Sequence, residues 1–302
     1  MLKAYLKNPY RVFMLMGDRG LLNWLPDEPY VKLMYRANVG RKANLDDPQG
    51  YMEKMNWLKL YGNMRQYAPY SDKLAVRDYI SQKIGAEYLV PLLGVWNSAA
   101  EIDFSALPER FVLKATHDSG SVKVCRNKAS FDCRAARRYF ARALRTRYYM
   151  KGRERQYEPI TPRIIAETYL DDGKHTLPTD YKLYCFNGKP KLMMACTNRG
   201  TDKQVTASFF DLEWNEIPIY CPDFENTAET IERPYSFEKM KEIASVLCRD
   251  IPFVRIDFYD IQGKLYFGEM TFCDGGGYEG YGEGWEDIIG AWIHLPQNGR
   301  QT

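Results

Sequence analysis

Paired cysteines, a long apolar run and a surplus of charge of one sign are all missing from this 302-residue sequence. Its seven cysteines are scattered, with no Cys-x-x-Cys pair. An odd count with that spacing argues against a disulfide frame or a zinc site and fits reduced thiols. Cys185, Cys196 and Cys248 stand in apolar surroundings and read as small core residues. No stretch approaches the roughly 18 apolar residues of a spanning helix. The basic opening Met1-Leu2-Lys3-Ala4-Tyr5 lacks the apolar core and small-residue cleavage site of a signal peptide. A cytoplasmic location is expected, with attachment to the inner face of a membrane left open. A formal net charge of +3 with 27% charged residues describes neither an acidic tail nor a nucleic-acid coat, and no nucleic-acid module is recognised. Of the three histidines, His175 and His294 have no metal-like spacing between them.

Aromatic residues, in contrast, are plentiful, with 23 tyrosines against 14 phenylalanines. They read either as a surface on which sugars stack or as the wet edges of a core. A chain of this length holds two or three subdomains. The first 70 residues are short apolar bursts broken by prolines and glycines, with helical spacing over 30–35 and 51–61. Ser71 is a candidate N-cap for an amphipathic helix running toward Gly85. Such a helix places Asp72 in the first turn and Lys73 and Arg77 on one face, to receive an anion or to be solvated. Residues 88–96 read as an apolar strand arriving in a new unit.

Phe111–Ala115 is a short strand, His117-Asp118-Ser119-Gly120-Ser121 a polar turn, and Val122–Cys125 the strand pattern resumed. A hairpin of this form can close its backbone N–H groups on phosphates, with Lys114 at the end of the leading arm, although most Ser-Gly hairpins bind nothing. Residues 134–155 carry the strongest charge feature. Arg134, Arg138, Arg142 and Arg145 share a helical face, for a polyanion or for solvent. Residues 164–170 read as a strand. Asp180–Phe186 and 191–196, joined by Asn187-Gly188, read as a hairpin. Residues from Ser208 to Trp214 suggest more strand, 222–235 a polar loop, and 236–247 a helix with Ser236 as its cap.

The remainder is organised around residues 251–259 and 265–272, two β-rich arms joined at Gln262-Gly263. Alternation sets Arg255, Asp257 and Tyr259 on one face and Val254, Ile256 and Phe258 on the other. Glu269 stands in an otherwise apolar and aromatic arm. Two acids and an arginine on adjacent buried strands need a partner, because an unpaired buried charge is too costly to keep. A divalent metal holding phosphate oxygens supplies one. A flexible loop, Cys273-Asp274-Gly275-Gly276-Gly277, follows beside the acids, and then an acidic, aromatic tail.

Over residues 50–295 the chain resembles the ATP-grasp superfamily of carboxylate–amine ligases, and most of all its TupA-like branch, associated with teichuronopeptide and surface-polysaccharide genes. The likeness rests on the order and spacing of Ser71-Asp72-Lys73, residues 111–114 with 117–121, Ile165-Ala166-Glu167, Asp180-Tyr181-Lys182, residues 254–257 and residues 267–271. It implies an α+β, ATP-grasp fold with a nucleotide held between two α+β subdomains. Residues 1–105 would form a smaller, mostly helical N-terminal region, 106–175 the small subdomain with the phosphate flap, and 176–302 the C-terminal subdomain with the metal site.

The resemblance further implies ATP as cosubstrate, with one or two Mg2+ ions, or Mn2+ in their place. Lys73 and Lys114 match the phosphate-contacting lysines, and Ser119, Gly120 and Ser121 the flap. Glu167 matches the acid near the adenine amino group, and Asp180, with Lys182 beside it, the ribose acid. Asp257 and Glu269 match the metal carboxylates, and Arg255 the arginine that steadies the transferring phosphoryl group. Thr271 stands where the superfamily has an asparagine ligand, so Asp274 or a water replaces it, or one of two metals binds less tightly. His117 contacts phosphate, helps deprotonate an amine, or orients the flap. The implied partners are an amino acid and an acidic saccharide, a hexuronic acid that is free, nucleotide-linked or lipid-linked. A metal-dependent glycosyltransferase, a sugar or small-molecule kinase and a non-catalytic nucleotide-binding protein are the alternatives.

Overall fold

In the computed structural model, residues 9–174, 177–198, 205–222, 224–226, 231–282 and 284–296 are described. His175 and part of the expected polar loop at 222–235, residues 223 and 227–230, lie outside them. Helices α1 (Val12–Asp18), α2 (Asp27–Val39), α3 (Tyr51–Tyr61), α4 (Ala68–Ser71) and α5 (Val76–Lys83) open the fold. Helix α2 has Asp27 and Glu28 in its first turn, where the helix dipole favours acids, and ends at Gly40 with φ +86°. Helix α3 is buried on nearly every side, including Glu53, Asn56 and Lys59. The helix expected from Ser71 instead starts at Val76, with Ser71 closing α4. Asp72 causes the delay: its Oδ1 accepts the Leu74 N–H at 2.8 Å, a side-chain turn that competes with the helix. Lys73 therefore rides in a turn and does not share a helical face with Arg77.

A four-stranded antiparallel sheet follows, built from β1 (Leu92–Trp96), β2 (Phe111–Ala115), β3 (Val122–Cys125) and β4 (Ile164–Thr168) in the order β1-β4-β2-β3. Helix α6 (Cys133–Ala143), capped by Asp132, covers one face, and the single turn α7 (Tyr149–Gly152) comes after it. Alternation in β2 buries Phe111, Leu113 and Ala115 against Ala136, Phe140 and Ala143, which leaves Val112 and Lys114 on the open face. The apolar strand β1 is an edge strand, with Leu92, Leu93 and Val95 all exposed. Arg134, Arg138, Arg142 and Arg145 are exposed as well.

The second sheet contains β5 (Asp180–Phe186), β6 (Lys189–Thr197), β7 (Thr206–Phe210) and β8 (Glu216–Ile217), with β9 (Glu225–Asn226) parallel to β7. After α8 (Phe237–Leu247), β10 (Phe253–Ile261) and β11 (Lys264–Thr271) complete it, in the order β11-β10-β5-β6-β7-β8, and α9 (Trp285–Ala291) follows. Both faces are covered. Met240, Ile243, Val76 and Ile80 pack on Leu183, Val254 and Ile256, while Tyr51, Met55 and Ile289 pack on Tyr184, Phe186 and Phe253. Hence β5 is buried along its whole length. Asn187 (φ +47°) and Gly188 (φ +75°) make the expected hairpin turn. Trp214 sits in the turn before β8, at φ +69°, rather than in a strand; the Asp211 carboxylate takes the N–H groups of Glu213 and Asn215 and folds the chain back there. Ser236 is not a side-chain cap: its hydroxyl donates to the Gly263 carbonyl at 3.1 Å. The loop expected to be flexible at 273–277 is a tight turn in which Asp274 and Gly277 are buried. None of the seven cysteines is in a disulfide. No helix among the described residues is long and apolar enough to cross a membrane.

Candidate active site

The two sheets face each other across a cleft of about 250 Å³ to which both contribute side chains. From the small sheet, Lys114 donates to Glu167 Oε2 at 2.7 Å, and Arg77 from α5 holds Oε1 at 2.9 Å. Burial opposes the charge on Lys114, but Glu167, Tyr259 and Glu269 more than restore it, so its pKa is raised. Val112, Val124, Leu170 and Phe267 supply apolar wall. Across the cleft, Lys182 on β5 reaches Asp180 and Asp257, each at 2.6 Å.

Strands β10 and β11 set the acids. Asp257 pairs with Glu269, and immediately beyond them the register slips by one residue at Gly268. The bulge needs glycine: a Cβ there would lie 3.0 Å from the Asp257 carbonyl oxygen. Arg255 donates to Asp257 from Nε at 2.7 Å and Nη2 at 2.8 Å, and Nη2 also reaches Glu269 at 3.3 Å and Thr271 at 3.2 Å. Burial pushes the Glu269 carboxyl up, but Lys73, Arg255 and Lys182 outweigh it and hold it below the usual range. Glu269 therefore stays charged, with Asp257 beside it.

Two carboxylates at paired strand positions, open to a cleft lined by lysines, fit a small divalent cation that takes its other ligands from phosphate and water. Among the described residues no group of three or more His, Cys, Asp or Glu side chains is arranged to hold a metal alone. Asp274 is not part of the pair. It binds the opposite end of the Arg255 guanidinium through Oδ1, and its Oδ2 accepts from the hydroxyls of Tyr184 (3.0 Å), Tyr281 (3.3 Å) and Tyr51 (3.5 Å). It lines a second cavity and not the cleft that Asp257 and Glu269 line, and it serves to support Arg255. The hydroxyl of Thr271 donates to Glu269 at 3.3 Å and so stays within the cluster.

In the flap, Ser119 and Gly120 line the cleft. Gly120 has φ +103° with nothing near the place of a Cβ. Ser121 is tied by its N–H to Asp118 Oδ1 at 3.2 Å and lines no cavity among those described. Lys73 anchors the flap from below, its ammonium on the Asp118 carbonyl. His117 turns the other way: it is buried with Nε2 3.2 Å from the Ala143 carbonyl at the end of α6, and it lines neither cavity. A catalytic role expected of His117 therefore gives way to an anchoring one.

That second cavity, of about 390 Å³, opens beside Glu269 and shares Ser119, Lys182 and Glu269 with the first. Tyr148, Glu154 and Tyr157 line it, and sequence reasoning missed all three. They fall in the basic run 134–155 and just beyond it, where the one available signal was an acid set between Arg153 and Arg155. Burial raises the Glu154 carboxyl to about 7, against the pull of Lys59 and Gln156.

Two α+β units whose antiparallel sheets enclose a lysine-lined cleft constitute the ATP-grasp fold. The chain belongs to the TupA-like ATP-grasp family, whose model matches residues 53–294. Among solved structures it is similar to D-alanine–D-alanine ligase from Bacillus anthracis complexed with ATP, at 15% identity over 70% of this chain and 57% of that one, with a TM-score of 0.41. It is also similar to D-cycloserine synthetase DcsG, at 14% identity over 69% and 64%, TM-score 0.37. The ATP-grasp ligase PsnB complexed with minimal precursor gives 11% identity over 88% and 68%, TM-score 0.39. The chain thus spans less than two thirds of the length of the first two. No curated protein matches it.

Proposed function

We propose that this chain is an ATP-dependent ligase that joins a carboxylate to an amine through an acyl phosphate. The observation that carries the reading is a single cleft lined by Lys73, Lys114, Lys182, Asp257 and Glu269, with Arg255 bonded to both acids. One cavity takes the nucleotide and the other the molecules to be joined. A carboxylate is inert to an amine until one of its oxygens becomes a leaving group, and transfer of the γ-phosphoryl group makes it one. Lys73 and Lys114 hold phosphate oxygens, while Arg255 neutralises charge on the transferring group and then on the oxyanion of the tetrahedral intermediate. Asp257 and Glu269 would hold magnesium or manganese, which would supply positive charge to offset that of the phosphates. Closure of the Ser119–Gly120 turn excludes the water that would hydrolyse an acyl phosphate.

For substrates we propose an amino acid as the amine and a hexuronic acid of a surface polysaccharide, or its nucleotide- or lipid-linked precursor, as the carboxylate. The exposed arginines of α6 support an acidic polymer outside the cavities; unchanged substrate affinity in Arg138→Gln with Arg142→Gln would count against it. The deciding experiment measures ADP release with magnesium and ATP against a panel of uronic-acid sugars and amino acids, with mass spectrometry of products. The expected product is lighter by one water than its two substrates, and Glu269→Gln should abolish it. ATP bound but never consumed, with Glu269→Gln indistinguishable from the wild type, would overturn the ligase reading.

A further inference from the structure

The reaction above leaves two acids of the second cavity unused, Glu154 and Glu279, and Glu154 is the buried one. It is 7% exposed and sits between two arginines that turn away from the cavity. Arg153, at φ +58°, donates Nη2 to the carbonyls of Leu22 (3.3 Å), Asn23 (3.4 Å) and Leu25 (3.0 Å) and lies over the ring of Tyr30. Arg155 pairs with Asp27 at 2.6 Å and with Glu158 at 2.8 Å. The N-terminal helices thus grip the segment on either side of Glu154 and aim its carboxylate inward.

The groups around it leave it without a counter-ion. Gln156 donates to Oε2 at 3.2 Å. Lys59, from α3, spends its ammonium on the Gly276 carbonyl at 2.6 Å and the face of Tyr278 at 4.2 Å. Cys273, Asp274 and Tyr278 face it from the glycine turn, and Tyr148 and Tyr157 from its own segment. Among the described residues no cation is within ion-pair distance of Glu154. A buried carboxylate kept without a cation calls for one from outside.

We propose that Glu154 receives the ammonium group of the amine substrate and removes the proton that must leave before its nitrogen can attack. This rests on the ligase reading. One proton passes from the ammonium to the Glu154 carboxylate and frees the nitrogen lone pair. The C–N bond forms, the bond from the acyl carbon to the phosphate oxygen breaks with its electrons on phosphate, and the departing phosphate takes the second nitrogen proton. Glu154 returns its own proton to water after release. A carboxyl raised to about 7 is matched to that exchange near neutral pH.

The test runs the same panel of uronic acids with two nucleophiles, the amino-acid mixture and hydroxylamine. Hydroxylamine is largely unprotonated at neutral pH and needs neither an ammonium site nor a base. In Glu154→Gln, amide formation should fall by about 100-fold or more, while hydroxamate formation stays within about two-fold of the wild type, and Glu154→Asp should recover part of the loss. Equal loss of amide and hydroxamate would assign Glu154 to structure alone, and unchanged amide formation would remove it from the reaction; either overturns the proposal. A wild type that gives neither ADP nor hydroxamate would instead overturn the ligase reading, and this proposal with it.

Discussion

Arg255 divides its N–H donors among Asp257, Glu269, Thr271 and Asp274, so one side chain holds three acids together. Its place is secured in turn by Asp274, which three tyrosine hydroxyls hold. Glu154 has no such compensation, and that carries a cost in stability. Its carboxyl moves from the usual 4.5 to about 7 in the fold, so between those values the folded chain binds a proton that the unfolded chain has released. The contribution of Glu154 to stability is then most favourable below pH 4.5 and falls as pH rises to 7, by about 3 kcal/mol in all. Urea denaturation at pH 5 and pH 8 should show Glu154→Gln gaining on the wild type by up to that amount at the higher pH. A difference independent of pH would mean that the acid is ionised throughout. A variant more stable and less active than its parent is what a residue kept for chemistry should give.

Among the elements, the β10–β11 hairpin ties backbone packing most directly to the acid pair. Gly268→Ala would bring a Cβ to 3.0 Å from the Asp257 carbonyl oxygen and 3.3 Å from its carbon, and neither backbone can give way without shifting the Asp257–Glu269 pair. We expect a loss of about 1–3 kcal/mol by chemical denaturation, together with weaker binding of magnesium-ATP by calorimetry. Retained affinity in a destabilised variant would show that the bulge serves only the sheet. This hairpin was legible because its determinants are local: alternation in 253–259, and a turn at Gln262 (φ +54°) and Gly263 (φ +88°). The helix starting at Val76 was less so, since Ser71 and Asp72 form a sound capping signal that a turn two residues long supersedes.

Two sheets that face each other across a cleft should be drawn together by whatever fills it. A ligand at a hundred times its dissociation constant stabilises the folded state by about 2.7 kcal/mol, so magnesium-ATP should raise the melting temperature of the wild type. Lys114→Met should lose most of that rise and keep the unliganded melting temperature close to the parent's, because Arg77 still pairs with Glu167. An undiminished thermal shift in Lys114→Met would place the nucleotide elsewhere.

The order of Lys114, Glu167, Asp180, Lys182, Asp257 and Glu269 along paired strands is a property of the sequence by itself. Strand alternation and turn residues act over a few positions, and they were enough to set each of these on its strand. Four features waited for the tertiary structure: the turn of His117 toward α6, the capture of Asp274 by tyrosines, the extent of the second cavity, and the aim of Glu154 into it. Each depends on partners far apart in the chain, as with Tyr51 and Asp274, 223 residues apart, or Arg153 and Leu22, 131 apart. No periodicity links such residues. Only the packing of the N-terminal helices against the second sheet and the 148–157 segment decides which charge meets a counter-ion and which is left without one.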